Sequence, residues 1–143
     1  MPPLAWMKKL ASILLLVCFV LPLSKCETKK EVDGVAQIDA TYAYGYQMAL
    51  GDLADIGERG LDALQGLGFV AIVFFVPAIS LWFKEGWQSL IQLCAAFPAL
   101  YALYGWVIVF ATTPQIGGVL ALECWLFLLT TSALTLWLRR RRT

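Results

Sequence analysis

Residues 67–83 read LGFVAIVFFVPAISLWF, residues 87–111 read WQSLIQLCAAFPALYALYGWVIVFA, and residues 118–138 read GVLALECWLFLLTTSALTLWL. Only KEG (84–86) and TTPQIG (112–117) separate these three runs. Wound as an α-helix, each run is long enough to cross about 30 Å of hydrocarbon. None keeps a polar face for water, so a soluble core is excluded. The chain is expected to be all-α: an integral membrane bundle of three transmembrane helices over residues 67–143, ending in a basic tail.

Composition agrees. Of the 143 residues, 60% are hydrophobic and 15% charged, against roughly half and a quarter in soluble domains. The sequence has no histidine, which removes His-ligated haem, His-metal sites and His-based acid–base catalysis. Its four cysteines, Cys18, Cys26, Cys94 and Cys124, have no CxxC spacing, so neither zinc nor a redox pair is indicated. No basic stripe marks a nucleic-acid face. No nucleophile–base pair and no carboxylate pair at catalytic spacing is present, and neither an enzyme nor a cofactor is expected.

Upstream, Lys8 and Lys9 precede an apolar run from Leu10 to Leu23 closed by Pro22. This run has the length of a signal-peptide core. The residues Leu23, Ser24, Lys25 and Cys26 at its end resemble a bacterial lipoprotein signal. Leu23 and Ser24 fit that pattern, and Lys25 stands where the family has a small residue. The resemblance implies that Cys26 is the lipidation candidate and that residues 1–26 form a leader. Two alternatives stay open: an uncleaved signal-anchor, and cleavage elsewhere with Cys26 an ordinary thiol. All three place residues 27–66 outside the cytoplasm.

That segment carries most of the acidic residues. ETKKEVDGVAQ (27–37) reads as a solvated linker, with Asp39 as an N-cap for the helical stretch after it. Leu50, Leu53, Gly57, Leu61, Leu64 and Leu67 recur at helical steps, predicting one amphipathic helix that either lies on the outer membrane–water boundary or runs straight into the first span. Its other faces are acidic, and Asp55 is spaced to pair with Arg59. An acidic face suits a protein neighbour better than anionic lipid. Tyr42, Tyr44 and Tyr46 alternate as in a strand, but with no partner strand in view they read as an interfacial tyrosine cluster, with a ligand-binding aromatic patch as the alternative.

Within the spans, Pro77 and Pro98 predict kinks; Pro77 withdraws a backbone donor near Val73. Ala95, Ala99, Ala102 and Gly105 form a helix-packing stripe that lets a neighbouring helix approach. Trp82 and Trp87 flank the short turn as an aromatic belt. Glu123 is the ionisable residue well inside a span, where a charge costs a few kcal/mol unless neutral, paired or wetted. Reflection about Pro114 places it at the depth of Tyr104, the natural intramembrane hydrogen-bond partner, with Trp106 second. Glu123 reads as helix glue, as a contact to another subunit, or as an ion relay. Gly66 to Ala71 matches GxGxxA, but without a preceding strand it does not indicate a nucleotide site. Cys94 and Cys124 fall at different depths, which argues against a bridge.

Lys8, Lys9 and Arg139 to Arg142 put both ends on one side, and four crossings with the leader counted require that too. The positive-inside rule makes that side the cytoplasm. The expected protein is a multi-pass, non-catalytic accessory or assembly subunit of a bacterial inner (plasma) membrane complex. Its partners would be membrane lipids and other membrane subunits, with a homo-oligomer possible. Two other functions compete with this one. The topology is similar to that of phage holins, which implies a pore-forming lysis protein. A small transporter would work through Glu123.

Overall fold

The computed structural model of the protein describes residues 2–32 and 34–141. Asp33, in the expected linker, and Arg142, in the expected tail, lie outside them. The chain runs α1 (Pro2–Cys18), β1 (Pro22–Val32), β2 (Val35–Tyr44), α2 (Gly45–Ala54), α3 (Ile56–Arg59) and α4 (Leu61–Val70). A π-helical turn, Ala71–Phe75, joins α4 to α5 (Val76–Ser80). Then come α6 (Glu85–Tyr104) with its own π-turn Gly105–Val109, β3 (Thr113–Pro114) and α7 (Ile116–Arg140).

Three continuous helices, Leu61–Ser80, Glu85–Val109 and Ile116–Arg140, are long and apolar enough to cross a membrane. They coincide with the three apolar runs, except that the first starts six residues early because α4 flows straight into it. The core lies where α1, the first span, α6 and α7 meet. Leu15 and Cys18, Val73 and Phe74, Ala96, Ala99 and Leu103, and Ala121, Trp125 and Leu128 are all buried there. The alanines of α6 and α7 in this core, Ala96, Ala99, Ala102 and Ala121, are small enough to let neighbouring helices approach closely.

The all-α expectation is corrected by a three-stranded antiparallel sheet in the order β2-β1-β3. Residues read as linker and N-cap are strand: Glu31 pairs with Ala36 and Thr28 with Asp39. Tyr42 and Tyr44, which lacked a partner strand in sequence, pair with Lys25 and Pro22. The partner lies in residues that read as leader. The chain turns from β1 into β2 between paired Val32 and Val35, with Gly34 at φ 77°. A left-handed glycine is what a tight hairpin turn calls for.

The single amphipathic helix is also corrected. It breaks at Asp55 and at Gly60, whose φ is 55°, and α2 folds back against α4. Leu50, Leu53, Leu61 and Leu64 stay exposed, so the leucine stripe lies on the outside of this helical hairpin.

The sheet is pinned to one end of the bundle. The Thr112 N–H donates to the Lys25 carbonyl at 3.0 Å and the Gln115 N–H to the Leu23 carbonyl at 3.2 Å. The start of α7 passes directly over β1. A Cβ at Gly118 would fall on the Leu23 carbonyl, and one at Gly117 would come 2.7 Å from the Pro22 carbonyl. Both obstacles are backbone and cannot swing aside. Gly118→Ala is therefore expected to lower stability by about 1–3 kcal/mol, read as earlier thermal unfolding in detergent. An unchanged midpoint would contradict this close approach.

Candidate functional site

A polar seam crosses the bundle at the end remote from the sheet, and it starts with Lys8. α1 is an apolar helix, yet the first of its two lysines, Lys8, is buried, with 1% of its surface exposed. The ammonium donates to Ser89 Oγ on α6 and to Thr135 Oγ1 on α7, both at 3.0 Å. One turn along α6, Gln92 completes a second group. Its Nε2 donates to Ser80 Oγ at 3.0 Å, and its Oε1 accepts from Ser132 Oγ at 3.0 Å. The Ser80 hydroxyl donates onward to the Pro77 carbonyl at 2.6 Å. Among the described residues no buried side-chain nitrogen or oxygen lacks a partner. In a low-dielectric interior such satisfaction is what makes a polar cluster tolerable. Four helices are fixed in register by it.

Next to this seam is a second device. Pro77 has no N–H to give the Val73 carbonyl one turn back. The indole N–H of Trp125, itself fully buried, donates to that carbonyl at 3.0 Å. The backbone donor expected to be missing near Val73 is thus replaced by a side chain from α7, and the helix yields as a π-turn at Ala71–Phe75.

At this same end, Lys84, Glu85, Gly86, Thr135 and Arg139 enclose a cavity of about 320 Å³ with Leu4 and Leu138 as its apolar wall. Thr135 belongs to both features, since its hydroxyl holds Lys8 and its side chain lines the cavity.

The residues that stand out in the sequence are dispersed over the structure. Glu123 is exposed, in a shallow groove between α1 and α7 lined by Met7, Leu10, Leu14 and Phe127. Tyr104 is exposed as well, and no hydrogen bond joins it to Glu123 among the described residues. In the packing stripe, Ala99 and Ala102 are buried while Ala95 and Gly105 are half-buried. The inward face is rotated towards Ala96 and Leu103. Cys26 lies in β1 opposite Thr41, and its thiol donates to the Phe110 carbonyl at 3.3 Å. All four cysteines are free thiols. Gly66 to Gly68 lie inside α4, with Gly66 beneath the Asp52 carboxylate. Asp55 and Arg59 pair at 3.3 Å. Lys25 pairs with Glu27 at 2.7 Å, and this hydrogen-bonded carboxylate raises the Lys25 pKa.

Sequence reasoning does not single out Lys8, Ser80 and Ser89 as site residues. The signal available for them is positional. Ser80, Ser89, Gln92, Ser132 and Thr135 all lie within a few turns of the basic ends at Lys84 and Arg139. In comparisons with known proteins, the chain matches no family model, no curated sequence and no solved structure.

Proposed function

We propose that this chain is a non-catalytic accessory subunit of a bacterial inner-membrane complex, which it engages through its β-hairpin. The observation that carries this reading is the hairpin's isolation. Every described residue whose exposure is resolved from Glu27 to Tyr42 is exposed. The sheet order leaves the outer edge of β2 unpaired. β3 covers β1 only at Ser24 and Lys25. Exposed strand edges accept a further strand from another chain, with main-chain hydrogen bonds giving affinity. Val35 and Ile38, 66% and 59% exposed, add apolar contact. The positive-inside rule puts the end carrying Lys84 and Arg139 in the cytoplasm, and the hairpin then faces outward.

The full-length protein is expected to leave the membrane in mild detergent together with larger subunits. The Val35→Lys/Ile38→Lys variant is expected to release them at least tenfold more readily while its own bundle stays folded. A lone, monodisperse chain in every mild detergent would count against a subunit role. Dye leakage from vesicles containing the purified chain would favour a pore instead.

The uncleaved form of α1 belongs to this reading. Lys8, Leu15 and Cys18 supply the bundle core. Cleavage before Cys26 would also cut β1 next to the carbonyl that accepts from Thr112. Intact-mass measurement is expected to find residues 1–26 still attached. A mass for a chain beginning at an acylated Cys26 would overturn this part.

A further inference from the structure

We infer that the cavity at the remote end of the bundle binds the phosphate group of a membrane phospholipid. Two cations and one carboxylate line it, and a third cation lies behind it. Lys84 and Arg139 line the cavity, and Lys8 stands one hydroxyl behind it, through Thr135. Glu85 is the acidic residue of the lining. The ion pairs among the described residues are Lys25–Glu27 and Arg59–Asp55. Lys8, Lys84 and Arg139 therefore have no described carboxylate within ion-pair reach. The buried ammonium has given two of its three N–H groups to hydroxyls, which satisfies its geometry but supplies no counter-charge in direct contact.

The backbone adds further donors. α6 begins at Glu85 and no side chain caps it. Its first intrahelical bond from beyond the opening turn is the Gln88 N–H to the Lys84 carbonyl, at 2.9 Å. The N–H groups of the opening turn thus have no side-chain cap among the described residues, and Glu85 and Gly86 of that turn line the cavity, at the positive end of a 20-residue helix dipole. Arg139 is drawn over this terminus because Gly86 has no side chain; a Cβ there would fall on the guanidinium. Guanidinium, ammonium and helix N–H groups around one space are a phosphate donor set.

Two features favour a lipid as the source of that phosphate. Leu4 and Leu138 make part of the wall apolar, which suits the first methylenes of an acyl chain. Trp82, Trp87 and Trp137 are exposed near this end of the spans, at 89%, 64% and 49%. Exposed tryptophans at helix ends sit at the headgroup level. Glu85 suits a headgroup that also carries a hydrogen-bond donor, such as glycerol or an amine.

The test uses the full-length protein in detergent, with dihexanoyl phosphatidylglycerol and inorganic phosphate as separate probes. The lipid is expected to bind, and Lys84→Gln/Arg139→Gln is expected to weaken it at least tenfold. Gly86→Ala, which displaces Arg139 but keeps every charge, is expected to weaken it several-fold. Lys9→Gln, an exposed lysine on the same helix as Lys8, serves as the control and is expected to change nothing. Binding of lipid alone assigns the lipid source. Binding of both probes, each lost in the double variant, assigns the phosphate group itself. Equal lipid affinity in the parent and the double variant would overturn the site. An equal loss in Lys9→Gln would too, because general surface charge would then account for it.

Discussion

Trp125→Phe is expected to destabilise the bundle by about 3 kcal/mol, through loss of buried ring volume and of a hydrogen-bond donor. The second part separates this site from any other core aromatic. The indole N–H serves the Val73 carbonyl at 3.0 Å, and the backbone cannot serve it because residue 77 is proline. Phenylalanine would leave that carbonyl unpaired between fully buried residues, at a cost of about 1–3 kcal/mol. Pro77→Ala restores the N–H one turn on, so the backbone can satisfy Val73 unaided. In the Pro77→Ala background, Trp125→Phe should therefore cost about 1–2 kcal/mol less. Reversible unfolding of the four proteins in detergent measures the difference. An equal cost in both backgrounds would mean that the tryptophan acts by volume alone.

The same pair shows what local reading reaches. A proline in an apolar run announces a missing donor near Val73, and the structure contains that vacancy. Its replacement comes from 52 residues away, which no local pattern reports. The three spans are legible because hydropathy is a local sum. The sheet is not. Thr28 to Glu31 and Val35 to Gln37 are exposed on both faces of the hairpin, so the usual alternation is absent. What remains is Asp33-Gly34 and the alternating tyrosines, and their partner strand is hidden in residues that resemble a leader.

Glu123 illustrates a different limit. Reflection about Pro114 estimates depth along a helix but not rotation about it. The buried face of α7 runs Ala121, Cys124, Trp125, Leu128, Thr131 and Ser132, and Glu123 lies off that face. The periodicity is present in the sequence and assigns Glu123 to the outer surface. Lys8 is legible as a charge at the head of an apolar run. That the same charge lies inside the bundle depends on hydroxyls from α6 and α7, whose placement is tertiary.

Lys8 carries the second large prediction, and its sign depends on what is removed. Lys8→Met replaces a buried cation by an apolar chain of similar length. Removing the charge also removes its desolvation penalty, so this variant should fold at least as stably as the parent, to within about 1 kcal/mol. Ser89→Ala/Thr135→Val keeps the ammonium and deletes both acceptors that hold it at 3.0 Å. The charge is then buried without compensation, and the expected loss is about 3–5 kcal/mol. Adding Lys8→Met to that pair should return most of it, because the unpaired group is gone. Thermal unfolding of the three variants reads the pattern directly. Additive losses would show that the hydroxyls stabilise the bundle independently of the lysine. If instead Lys8→Met is tolerated, the ammonium adds nothing to folding that a methionine cannot supply. Its position behind the Arg139 cavity then has to be explained by what that cavity holds.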